Sequence, residues 1–147
     1  MFRRKAVPDE LVSSFRAFHV VLDEIEPAKA GLTDVVPGTR LPGRPLHDAL
    51  EEFVARLIRA RDAMPAWRRP EMEDEWSACR DGLEIALRRA TGLLEDGYEA
   101  AGFGSLLEVV ERSLDPLEPF ARAEERFASL RRRNGRSRAQ PGEPDGA

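Results

Sequence analysis

Between Pro45 and Pro65 the apolar residues Leu46, Leu50, Phe53, Leu57, Ala60 and Met64 recur at alternating intervals of four and three residues. At ~100° per residue this spacing gathers them within about 40° either side of one line, the signature of an amphipathic α-helix rather than of a strand, whose period is two. Val54 and Ile58 widen the stripe on one flank. A helix apolar along one stripe is stable only when that stripe packs against other elements, so the rest of the chain must supply matching stripes.

It does so on both sides. Pro8 suits a first helical position, with Asp9 and Glu10 in the first turn where the macrodipole favours negative charge. Leu11, Phe15, Phe18, Leu22 and Ile25 then form a stripe, with Val20 turned away from it. Pro27 and Gly31 are expected to end or kink this helix. The following VVPGTRLPGRP, residues 35 to 45, holds two Pro-Gly pairs suited to type II turns. Pro45 is expected to start the second helix and Pro65 to stop it. Pro70 starts a third after four intervening residues, a spacing of antiparallel neighbours. The stripe of that third helix is Trp76, Cys79, Leu83, Leu87, Ala90 and Leu94, while Ile85 and Leu93 fall off the line and, with Val20, could form a second apolar face.

The dense stretch MPAWRRPEMEDEW, residues 64 to 76, therefore reads as a corner between two helices, with Trp67 in the turn covering the bundle end. Glu71, Glu73, Asp74 and Glu75 fall in the first turns after Pro70, where the helix dipole accounts for them without a metal. Gly97, Gly102 and Gly104 mark a break, and Ser105 with Glu108 has the capping-box form before LLEVVERSL. Asp115 is expected to cap a restart at Pro116, with Pro119 kinking or delaying it, and Phe120, Ala123, Phe127 and Leu130 complete the last stripe. The expected fold is an all-α antiparallel bundle of four main helices, the fourth broken or followed by a fifth. Residues 1–130 form one domain, and the Arg-rich residues 131–147, with no apolar side chain larger than alanine, form a disordered basic tail.

Composition narrows the function classes. At 147 residues one core is the expectation. One cysteine and two histidines leave no disulfide framework and no thiolate-based zinc site, so no metal or other cofactor is expected and a reducing, cytoplasmic setting is the default. Acidic residues follow the basic N-terminus where a signal peptide would need an apolar run, and no apolar run approaches the ~20 residues that span a bilayer. Residues 71–130 carry 6 basic and 15 acidic side chains, a balance that disfavours nucleic acid. The five arginines of RRRNGRSR could meet phosphates, but no aromatic residue is interleaved to stack on bases.

Four groups could carry chemistry. Arg40, Arg44 and His47 surround the expected start of the second helix, with Arg44 at the N-cap; two guanidiniums beside uncapped N–H groups could hold a phosphate or carboxylate. Arg80 lies about 40° from Trp76, inside the apolar stripe of the third helix, where it must snorkel and stack on Trp76, pair with Glu84, reach into a ligand pocket or, together with Trp67, anchor an interface. His19 with Asp23 and His47 with Glu51 are i, i+4 pairs without the Glu-x-x-His repeats of bundle di-metal sites. Cys79 has no neighbouring His or Lys to activate it and reads as a small buried hydrophobe. No catalytic constellation emerges. The expectation is a non-enzymatic module that binds another protein or itself, with a small-ligand or anion-binding bundle using Arg40, Arg44 and His47 as the alternative.

Overall fold

The Leu46-to-Met64 stripe folds as its spacing predicts: all six side chains are at most 2% exposed, at the centre of an all-helical structure. The computed structural model describes residues 9–38, 43–97 and 105–139. It contains α1 Asp9–Gly38, α2 Gly43–Ala63, α3 Glu73–Asp96, α4 Leu106–Leu114 and α5 Pro119–Ala139, and no strand among the described residues. Leu11, Phe18, Leu22 and Ile25 of α1, Trp76, Cys79, Leu83, Leu87 and Ala90 of α3, and Phe120, Ala123, Phe127 and Leu130 of α5 join the same core. Each large apolar side chain buried there contributes about 1.5 to 3 kcal/mol.

Named contacts give the register. Glu24 of α1 meets Arg56 at 3.2 Å and Arg59 at 3.1 Å, whereas Phe18, nearer the N-terminus, meets Trp67 beyond the end of α2, with ring centroids 4.8 Å apart. Likewise Phe15 meets Phe127 and Arg131, and Phe18 meets Phe120. Positions fall on one helix as they rise on the other, consistent with antiparallel neighbours. The fourth helical layer is broken: α4 and α5 are separated by a 3-10 turn over Asp115–Leu117. The break abuts α3 at Gly82, where an added β-carbon would overlap the Pro116 carbonyl oxygen and lie 3.2 Å from its carbon. A glycine in a helix interior costs about 0.5 to 1 kcal/mol relative to alanine, and here it permits the backbone approach that joins the two layers.

Several boundaries differ from the sequence expectation. α1 continues through Pro27 and Gly31 to Gly38. Pro27 and Asp23 are both exposed, so the Asp23 carbonyl that loses its helical N–H partner lies on the solvent side, while Ala28 and Leu32 beyond the proline are buried and hold the chain in helix. The first Pro-Gly pair is thus helical, and the remaining turn residues, 39–42, lie outside the described structure. Asp115 is not a side-chain cap: the 3-10 turn begins after Leu114 without one, and Pro119 takes the first position of α5, the delayed start. Ser105 does cap α4, accepting the Glu108 backbone N–H at 3.1 Å. Leu130 is the last buried residue described, but the helix continues to Ala139; residues 140–147 lie outside the described structure.

The proposed second apolar face is rearranged. Val20 is 56% exposed, but Leu93 is buried. Leu93 shares a helix face with Gly82 and Arg89, at eleven- and four-residue intervals, and those residues meet Pro116 and the Arg112 carbonyl. The broken layer therefore covers a side of α3 that its own periodicity marks as peripheral. On α2 the opposite holds: Val54 is half-buried and Ile58 is exposed, although both flank the core stripe in sequence.

Candidate functional site

The corner between α2 and α3 is built from residues that satisfy one another. Pro65 is the second residue of a 3-10 turn, Met64–Trp67, and Pro70 the first of another, Pro70–Met72, each at a position where the missing N–H has no helical partner to lose. Arg69, preceding Pro70, is extended at φ −157°, ψ 157°, the region proline imposes on its predecessor. The Trp67 indole N–H donates to the Met64 sulfur at 3.2 Å and the Trp76 indole N–H to the Met64 carbonyl at 2.8 Å. Both large rings thereby bury without an orphaned donor.

The charges of the corner are paired in the same way. Arg68 donates two hydrogen bonds to Glu73, at 3.0 and 2.7 Å, and Arg69 two to Glu71, both at 2.8 Å. Such fork-to-carboxylate pairs fix orientation. The Arg69 hydrogen bonds, helped by a backbone hydrogen bond, hold the Glu71 carboxyl down at about 2. The Arg68 guanidinium likewise lowers Glu73. Arg68 and Arg80 both lie over the Trp76 ring, 4.2 and 5.3 Å from its centroid, and Arg80 donates to Asp81 rather than to Glu84. Arg80 is exposed and snorkels across the indole. Trp67 is fully buried, in ring contact with Phe18 and Phe127, and has no surface to offer a partner.

The anion-site candidates at the start of α2 lie only partly among the described residues. Arg40 lies outside them, and the helix begins at Gly43, which places Arg44 inside the first turn rather than at the N-cap. His47 is exposed with its imidazole 3.4 Å from Glu51, a partner that competes with an incoming anion. His19 sits edge-on to Phe15 at 4.5 Å. No group of three or more His, Cys, Asp or Glu among the described residues is placed to hold a metal ion. Burial pushes the Cys79 thiol up to about 12, so the thiol stays protonated at neutral pH.

Two features were not singled out by the sequence. Glu24 joins Arg56 and Arg59 across α1 and α2, with Glu52 also on Arg56 at 2.8 Å. No local spacing announces it, because Glu24 is 32 residues from Arg56. The second is a shallow groove of about 520 Å³ between α2 and α3, with Val54, Ile58 and Leu87 among its lining and Arg61, Glu84, Arg88 and Glu95 around them. Ile58 falls about 120° from Leu46 on the helical wheel, which marks the edge of the core stripe. At 38% exposure it is one of three large apolar side chains among the described residues that stand out to solvent. Glu84, Arg88 and Glu95 make no ion pair among the described residues, in contrast to the corner.

No family model matches the chain, and no curated protein or solved structure is significantly similar to it. No helix among the described residues is long and apolar enough to cross a membrane.

Proposed function

We propose that this chain is a non-enzymatic helical interaction module, acting in the cytoplasm, that docks another protein chain against the α2–α3 groove. The observation that carries this reading is Ile58, exposed beside half-buried Val54 in a groove also lined by Leu87 and by Glu84, Arg88 and Glu95, which make no ion pair among the described residues. Apolar centres with polar rims are the usual anatomy of a protein interface. A shallow, open groove suits side chains from another surface better than a small metabolite, whose sites are concave and mostly enclosed. The arginine and tryptophan of the corner, expected as interface anchors, are engaged internally: Trp67 by the core, Arg80 by Trp76 and Asp81.

The test is recovery of the tagged chain from its host at high salt, in parallel with an Ile58→Glu variant. A stoichiometric second chain, identical or different, that is present with the native sequence and lost with the variant is the expected result. Recovery of a monomer alone in both cases contradicts the reading.

A further inference from the structure

We propose that the arginine-rich end of α5, residues 131–139, docks in the major groove of B-form duplex DNA. This goes beyond the interaction reading above, because it concerns another surface and does not depend on the α2–α3 groove. Its basis is a change of character within one helix. From Pro119 to Leu130, α5 supplies core side chains, and its charges, Arg122 and Arg126 against Glu124 and Glu125, balance. From Arg131 to Ala139 the same helix carries five arginines, no acidic residue and no apolar side chain larger than alanine.

Arg131 marks where the helix leaves the core. Its guanidinium lies over the Phe15 ring, 4.5 Å from the centroid, while the residue itself is exposed. The N–H donors of a guanidinium lie in its plane, so stacking orients the group and leaves its edge for an anion. Arg132 and Arg133 are exposed too, and none of the three makes an ion pair among the described residues. Arg136 and Arg138 follow in the same helix. Like charges three and four residues apart, such as Arg132 and Arg136, disfavour a helix, and Gly135 adds to that cost. A ligand with a dense row of negative charge removes the repulsion and so favours the helical form.

The rest of the segment chooses among polyanions. At ~100° per residue the five arginine positions span an arc of about 220° around the helix axis, more than a flat surface meets at once. A groove walled by two phosphate strands meets such a helix from both sides. The remaining residues, Asn134, Gly135, Ser137 and Ala139, offer nothing to bury in a bilayer, which an interfacial helix requires. Being small or polar, they keep the helix slim enough for the B-DNA major groove, about 12 Å wide, whereas that of A-form RNA is too deep and narrow. No aromatic residue is present to stack on unpaired bases, which disfavours single strands. Residues 71–130, with 6 basic and 15 acidic side chains, repel phosphate and confine the contact to this end of α5.

The experiment is fluorescence anisotropy of the full chain with a short labelled DNA duplex across a salt series. The matching RNA duplex, the single strand and co-sedimentation with phosphatidylserine vesicles are its comparisons. The DNA duplex is expected to bind most tightly, with a slope of log K on log salt near about −4.5, from five phosphates at about 0.9 each. Arg132→Gln combined with Arg133→Gln should bring the slope to about −2.7 and weaken binding at least about tenfold. Gly135→Pro keeps every charge but breaks the helix, and should also weaken binding, by about tenfold. Thermal melting of both variants should match the native chain, since the altered positions lie beyond Leu130, the last buried residue described. No binding to the DNA duplex, undiminished binding by the double glutamine variant, or tighter binding to RNA, single strands or vesicles overturns the proposal. Binding undiminished by Gly135→Pro overturns it as well, because a charged segment alone would then suffice. None of these outcomes bears on the α2–α3 groove, which the Ile58→Glu variant tests.

Discussion

The corner and the groove are made from the same two helices, α2 and α3, and differ in what their side chains face. At the corner the two prolines set the turn, both indole N–H groups end on Met64, and Arg68, Arg69 and Arg80 each meet a carboxylate. Further along, Ile58 is exposed and Glu84, Arg88 and Glu95 make no ion pair among the described residues. The corner is the more conspicuous region in sequence, with two tryptophans and four carboxylates within thirteen residues. Its density is the sign of a region that satisfies itself. The groove carries ordinary residues, among them Glu84, Arg88 and Glu95 without an ion pair among the described residues, and in the proposed reading it is this lack rather than density that marks the docking surface.

The largest expected effect comes from removing the corner's anchor. Trp67→Ala should destabilise the fold by about 3 to 5 kcal/mol in denaturant titration, because the ring is fully buried against Phe18 and Phe127. A loss under about 1 kcal/mol would show that Trp67 is not held in the core. Adjacent residues on α2 give the sharpest form of the contrast. Leu57→Ala should cost about 2 to 5 kcal/mol, whereas Ile58→Ala, measured on dilute protein, should cost only about 0.5 kcal/mol. Equal losses would erase the distinction between core and groove.

Gly82→Ala should fall between these, at about 1 to 3 kcal/mol, since the methyl group cannot coexist with the Pro116 carbonyl unless the 3-10 turn shifts. Gly92→Ala, at an open position of the same helix, serves as its control and should not destabilise the chain. The smallest effect is the pH response of the corner. Glu71 titrates at about 2 in the fold against an ordinary 4.5, so its contribution is fully present above 4.5 and is lost as pH falls toward 2. Because Glu71 is exposed, that contribution is small. Glu71→Gln should flatten the melting temperature specifically between pH 4.5 and 2, and an unchanged profile would show that the Arg69 pair is not maintained in solution.

Much of this architecture is legible in the sequence. The stripes of α1, α2, α3 and α5, the corner at Pro65 and Pro70 and the Ser105 cap follow from local spacing and proline geometry. What escaped was decided by packing between distant segments. Pro27 stays inside α1 because it faces solvent while Ala28 and Leu32 are buried beyond it. Leu93 is core because the α4–α5 break reaches its side of α3, as the Gly82 and Arg89 contacts show. Ile58 is exposed because neither α1 nor α5 covers that flank of α2, and no helix's own periodicity says which neighbour it will have. Of the candidate site residues, Arg80 was readable as a snorkelling cation, but burial of Trp67 and the position of Arg44 within the helix depended on turns the composition does not determine.

The claim that the chain meets its partner through the α2–α3 face rather than the corner is tested most directly by backbone amide chemical shifts of the chain recorded with and without the stoichiometric chain recovered with it from its host. The account predicts shifts confined to Val54, Ile58, Arg61, Arg88, Gly92 and Glu95 and their neighbours, with Arg68, Trp76 and Arg80 unmoved. Shifts centred on Arg68, Trp76 and Arg80 would contradict it.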